Sequence, residues 1–180
     1  MLPYPIIKLH KGKEVSLLRK HHWVFSGAIS HKPDTLQNGD LVQVRSAKDD
    51  FLGIGHFQFG SIMVRLVSFL EQPIDLAFWK GKIRQAYQMR KILGLVDSTV
   101  TNGYRLIHGE GDGLPGLIID FYNGTAVVQA HHVGMHGHME DIAQRSRLII
   151  EPALSLVPEP ELFSTALGPL TRRLSDMIMP

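Results

Sequence analysis

Residues 104–124 read YRLIHGEGDGLPGLIIDFYNG and concentrate the groups in this chain that could do chemistry. Gly111, Gly113 and Gly116 spell G-x-G-x-x-G after an apolar run, and Glu110, Asp112 and Asp120 set three carboxylates around it. A nucleotide-cradling loop of this spacing needs a helix next, because the free N–H groups at the helix start bind the phosphate. Here Leu117-Ile118-Ile119-Asp120-Phe121-Tyr122 follows, a β-branched and aromatic run closed by Asn123-Gly124, which predicts a strand and a tight hairpin. Pro115 also has no N–H to offer a phosphate. A calcium loop needs oxygen ligands at alternating positions closed by a distant bidentate glutamate, and only a fragment of that pattern is present. The residues favour a glycine-rich connection between two strands, with the glycines supplying positive φ and Pro115 stiffening the exit.

Two further groups could bind ligands. His131, His132, His136 and His138 crowd together with Glu140, and in a helix His132 and His136 would share a face at i, i+4. Gly134 and Gly137 weaken any such helix and no H-E-x-x-H arrangement exists, so no metal ligands and no catalytic residues are assigned. Nearer the start, Lys8, Lys11, Lys13, Arg19, Lys20, His21, His22 and Trp23 interleave basic side chains with an aromatic, as phosphate contact combined with base stacking requires. Trp23 would either stack on a base or fill the core. Lys11, Arg19, Lys20, His21 and Trp23 are therefore candidates for RNA contact, joined by Lys80 and Arg84 on a basic helix face.

The elements that must position these residues follow from periodicity. Short apolar runs between turns every 8 to 12 residues over 6–69 suit a small barrel or sandwich. Strands are expected at 41–44, 51–57, with Gly53 and Gly55 marking a bulge or tight bend, and 62–67. Residues 15–26 read as a short helix or turn stopped by Ser26-Gly27. Asp75 caps a helix over 76–93 that Gly94 ends; Leu76, Trp79, Ile83, Ala86, Tyr87 and Leu93 form its apolar stripe, and Lys80, Lys82, Arg84, Arg90 and Lys91 its basic outer face. Strands near 104–108, 117–122 and 125–130 come next, then a helix over 135–148. Residues 148–180 are rich in proline without sustained period.

The bulk composition excludes more than it assigns. Across 180 residues the apolar fraction is 44%, the charged fraction 20% and the formal net charge +2, which suits a folded, mildly basic chain. With no cysteine there is no disulfide framework, no Cys zinc site and no thiol nucleophile. Neither a secretory leader nor a continuous apolar run of about 18 residues is present, so the expectation is a cytoplasmic protein with no membrane partner.

Two strings carry a resemblance. KGKEVSLLRKHHWVFSGAI at 11–29, and YRLI at 104–107 leading into GEGDGLPGLIID at 109–120, resemble the N-terminal half of the bacterial class I S-adenosylmethionine-dependent 23S rRNA cytosine-C5 methyltransferases, over about Ile6 to Ile142. The resemblance implies an α+β chain: a PUA-like RNA-binding barrel at 1–70, a compact central domain at 71–147, and a divergent tail at 148–180. It implies structured RNA, large-subunit rRNA, as partner, and it assigns the glycine-rich string to the central domain instead of the cofactor fold. Full-length members use S-adenosylmethionine. This chain has no Cys nucleophile and no room for the family's Rossmann-like methyltransferase domain, so no cofactor is expected in it. The expected role is the RNA-binding part of such an enzyme, truncated and not catalytic alone; the alternative is an RNA-recognition subunit serving a separate catalytic subunit.

Overall fold

A computed structural model describes residues 2–96 and 98–143, and the backbone of 155–158. Apolar residues alternating along short runs build the first sheet from β1 (Ile6–Leu9), β2 (Trp23–Phe25), β3 (Ile29–His31), β4 (Leu41–Arg45), β5 (Phe51–Phe57) and β6 (Ile62–Ser68). Their order is β2-β6-β5-β4-β1-β3, with β1 parallel to β4 and the remaining pairs antiparallel. Register shifts at Lys8/Leu9, Val24/Phe25, Val44/Arg45 and Ile54/Gly55 bend the strands, and the sheet curls into a half-barrel. Ile7, Leu9, Val42, Val44, Phe57, Val64 and Leu66 fill its concave side.

The two strand glycines let β5 lie close against β6. A Cβ at Gly53 would sit 2.8 Å from the Ser68 carbonyl oxygen, and one at Gly55 would collide with the Arg65 carbonyl. The expectation of helix or turn over 15–26 is corrected. Only α1 (Val15–Leu18) is helical, and it ends where Lys20 takes φ +65°. Trp-Val-Phe, a β-branched residue between aromatics, then pairs with β6 as β2, and a 3-10 turn at Ser26–Ala28 leads into β3.

Asp75 accepts a hydrogen bond from the Phe78 N–H at 2.9 Å and starts α2 (Leu76–Ile92), which Leu93 caps before Gly94 at φ +69°. Trp79, Ile83 and Ala86 carry its buried stripe, whereas Leu76 and Leu93 are exposed. The second sheet runs β10-β9-β8-β7, from β7 (Gly103–His108), β8 (Leu117–Tyr122), β9 (Thr125–Ala130) and β10 (Ser155–Pro158). Asn123 at φ +43° and Gly124 at φ +85° make the tight hairpin between β8 and β9. β10 lies parallel to β9 inside the stretch read as a divergent, proline-rich tail, and the rest of 148–180 lies outside the described residues. The helix expected over 135–148 is present in two pieces: α3 occupies Val133–His136, with His132 accepting from the Met135 N–H as its cap, and after a turn at 137–138 residues 139–143 are helical again; residues 144–148 lie outside the described set.

The second core does not respect the boundary between the sheets. Ile54 and Val67 of the half-barrel pack with Trp79, Ile83, Leu106, Ile107, Leu117 and Ile119. The segment before β1 joins both as well: the Gln43 side-chain amide donates to the Leu2 and Tyr4 carbonyls at 3.2 Å, and the Tyr4 hydroxyl accepts from the Ile74 N–H at 2.9 Å. A Gly55→Ala substitution tests the close approach of β5 to β6. Because the clash is with backbone, it should cost about 3 kcal/mol of unfolding free energy in urea titration, the upper end for overpacking; a cost below about 0.5 kcal/mol would contradict this packing.

Candidate nucleic-acid interface

β7 runs into a 3-10 turn at Gly109–Asp112, and Gly113 in the left-handed region at φ +69° closes it. The turn presents its carboxylates in different directions. Asp112 accepts from both terminal nitrogens of Arg90, at 2.7 Å for Nη2, and from the His108 N–H at 2.6 Å. Arg90 Nε donates to the Arg105 carbonyl at 2.9 Å, so one guanidinium locks α2 to both the turn and β7. Glu110 Oε1 accepts from the Trp23 indole N–H at 2.7 Å and thereby reaches β2 of the half-barrel. On the far side the Pro115 carbonyl bonds His132 Nε2 at 2.9 Å, and a Cβ at Gly116 would collide with the His132 ring. The glycine-rich string is a strand-to-strand connection whose side chains and carbonyls tie three elements together.

Between the half-barrel and this connection lies an open cleft of about 1080 Å³. Lys20, His22 and Phe69 form one wall, and Lys82, Met89 and Arg90 of α2 part of the other. Burial lowers the pKa of Lys82, with Asp112 opposing, and lowers that of His22 although its Nδ1 bonds the Leu66 carbonyl at 2.6 Å. The Lys20 ammonium lies 4.9 Å from the Phe69 ring centroid. Arg105, also on the cleft wall, pairs with Asp120 at 2.8 Å, and that pair holds the Arg105 pKa above its ordinary value.

Of the residues singled out for RNA contact, only Lys20 lines this cleft. Lys11, Arg19 and His21 are exposed on the half-barrel, and Lys80 and Arg84 on α2 outside the cleft. Trp23 is half-exposed with its edge against His21 and Phe25, while Val24 takes the core position, so the core-filling expectation for the indole is corrected. The uniform basic outer face of α2 is corrected too: Lys82 and Arg90 turn into the cleft. Sequence reading placed these two on the right helix but could not see which carboxylate would claim one and leave the other.

The histidines form a separate contact. His56 is 1% exposed, its ring stacks on Trp79 at 6.2 Å and 7°, and it meets the His132 and His138 rings at 5.3 and 5.2 Å. A Cβ at Gly134 would collide with His56, which accounts for a glycine inside α3. Among the described residues no three His, Asp or Glu side chains are placed to hold a metal ion, and no helix is long and apolar enough to cross a membrane.

Comparison with known proteins bears on what this interface serves. A family profile for PUA-like domains matches residues 7–69. The ribosomal RNA large subunit methyltransferase I of Pseudoalteromonas atlantica is 38% identical over 138 residues, covering 76% of this chain and 34% of the relative. Its counterpart in Salmonella arizonae is 32% identical, covering 98% of this chain and 45% of the relative. The chain is related to the N-terminal half of an rRNA large-subunit methyltransferase. It spans about a third to under half of the length of these relatives, and the Salmonella arizonae match extends the kinship well past residue 142. Among solved structures, a Streptococcus mutans protein described as a SAM-dependent methyltransferase superposes with a TM-score of 0.70 at 19% identity, over 84% of this chain and 40% of its own. The structure of SMU.776, described as a methyltransferase complexed with SAH, gives 0.71 at 18% identity, over 88% and 40%. These two share the fold.

Replacing Asp112 with alanine leaves the Arg90 guanidinium and the His108 N–H without their acceptor, and should cost about 3 kcal/mol by chemical denaturation; Asp112→Asn, which keeps an acceptor, should cost less. The buried histidines add a pH dependence. Burial pushes the His132 pKa down to about 4 from 6.5, and lowers those of His56 and His138. The unfolded chain therefore takes up these protons before the folded one as pH falls. Stability is full above about pH 6.5 and is lost progressively towards pH 4, with His132 alone accounting for about 2 kcal/mol at pH 5. Thermal melts between pH 7.5 and 4.5 check this, and a flat profile would contradict the burial of neutral rings.

Proposed function

We propose that residues 1–70 and 71–147 act as one RNA-recognition unit of an rRNA methyltransferase, working on large-subunit rRNA in the cytoplasm. The observation that carries this reading is the PUA-like half-barrel, on which Lys11, Arg19, Lys20 and His21 are exposed and which Trp23 ties to the central connection. Exposed cations of this kind give salt-dependent affinity for a phosphate backbone, and a rigid mount fixes their spacing.

The glycine-rich connection does not fit S-adenosylmethionine. The glycine-rich connection enters strand β8 instead of a helix, its Pro115 carbonyl is taken by His132, and Glu110 and Asp112 are held by Trp23 and Arg90. In this reading methyl transfer belongs to a cofactor-bearing portion or subunit outside these residues, and what they contribute is the hold on RNA.

Binding of the full chain to a large-subunit rRNA fragment across a salt series, with duplex DNA of equal length as control, tests the proposal. Preference for the RNA with affinity falling steeply as salt rises is expected. Arg19→Gln with Lys20→Gln should weaken binding about tenfold and lower the slope of log affinity against log salt by about 1 for each phosphate contact removed. Equal affinity for both nucleic acids, or none for either at low salt, would overturn the reading.

A further inference from the structure

The cleft contains a cation, Lys82, to which the fold offers the Phe78 ring at 5.7 Å from its ammonium but, among the described residues, no carboxylate partner. Lys82 is half-buried on α2, and its Nζ lies 2.8 Å from where a Cβ at Gly113 would be, with the His22 ring 3.9 Å from the same point. Among the described residues no carboxylate stands within ion-pair distance of that ammonium. Asp112 influences it, but both Asp112 oxygens are already bonded by Arg90 and the His108 N–H. Glu110 is engaged with the Trp23 indole and Asp120 with Arg105. A partly desolvated ammonium without a counter-ion is costly, and an arriving anion would relieve that cost.

What surrounds Lys82 restricts the anion. The opposite wall brings a second cation, Lys20, lying over the face of Phe69, while Met89 at 51% and Leu93 at 63% exposure leave apolar surface on the α2 side. Cations beside flat apolar surface suit a phosphate that carries a base, since bases stack on aromatic and apolar side chains in sequence-tolerant fashion. An open cleft of about 1080 Å³ is close to the upper size of small-ligand sites. Gly113, lacking a side chain, lets the Lys82 ammonium lie close against the turn, facing the His22 ring.

We propose that this cleft receives a single unpaired RNA nucleotide, its phosphate held by Lys82 with Lys20 on the facing wall and its base against Phe69 and Met89. The proposal rests on the RNA-binding reading and narrows it: exposed cations hold the flanking backbone, and the cleft selects RNA in which one nucleotide is turned out of the helix.

Fluorescence anisotropy of the full chain with two RNA hairpins, identical except for a single bulged nucleotide, tests it at one fixed salt concentration. The bulged hairpin should bind about tenfold more tightly, equivalent to about 1.4 kcal/mol and within the range for one stacked base. Lys82→Gln should bring the ratio of the two affinities close to one, Lys82→Met should do the same while keeping the apolar stem, and Lys82→Arg should retain the preference. Equal affinity of the unsubstituted chain for both hairpins overturns the nucleotide site and leaves RNA binding standing. A ratio undiminished in Lys82→Gln and Lys82→Met also overturns it, and failure to bind either hairpin overturns both readings. The comparison on the unsubstituted chain decides the matter even where a variant folds poorly.

Discussion

The Asp112 carboxylate is the anchor on which the central part of the molecule depends. Its two oxygens collect both terminal nitrogens of Arg90 and a backbone N–H of the turn that carries it, and Arg90 in turn holds the β7 backbone. A planar guanidinium against a carboxylate fixes direction as well as distance, so α2 cannot roll on the sheet without breaking several bonds together. With both side chains only 11% exposed, the pair keeps its strength in a way that the exposed Lys8–Asp49 bridge does not. The same commitment removes Asp112 as a counter-ion for Lys82, so the bond that stiffens the scaffold also leaves the cleft positively biased.

The contact between half-barrel and central sheet is built differently. Ile54, Val67, Trp79 and Ile83 supply apolar surface, and His56, His132 and His138 are held neutral among them. Neutral imidazole packs like an aromatic ring while still capping α3 and bonding the Pro115 carbonyl through His132. Two sheets sharing a core in this way present their cations at one fixed spacing, which a flexible linker would not do.

Much of this architecture is legible in the residues. The 3.6-residue repeat and the Asp75 cap mark α2, the Asn-Gly pair marks the β8–β9 hairpin, and the residues after Gly116 already rule against a phosphate loop. Trp23 misleads because aromatic and β-branched residues near a short helix look alike whether they continue the turn or open a strand, and pairing with β6, 40 residues away, decides between them. The cleft is not legible at all. Its character comes from which of several carboxylates meets which of several cations, and that depends on tertiary distances between residues such as Glu110 and Trp23, 87 positions apart. The histidine cluster is half legible: the sequence shows four near 131–138, but His56, which His132 and His138 meet, lies far upstream in β5.

Residues 2–9 sit at an unexpected centre. β1 lies inside the first sheet, between β3 and β4, and Tyr4 just before it bonds Ile74 at the start of the central part. These positions precede their partners at 41–45 and 74 in the chain, so they find their place only when a loop of some seventy residues has closed. Completion of the half-barrel and attachment of the central sheet are thereby coupled to one short strand, and the two units mature together instead of one after the other.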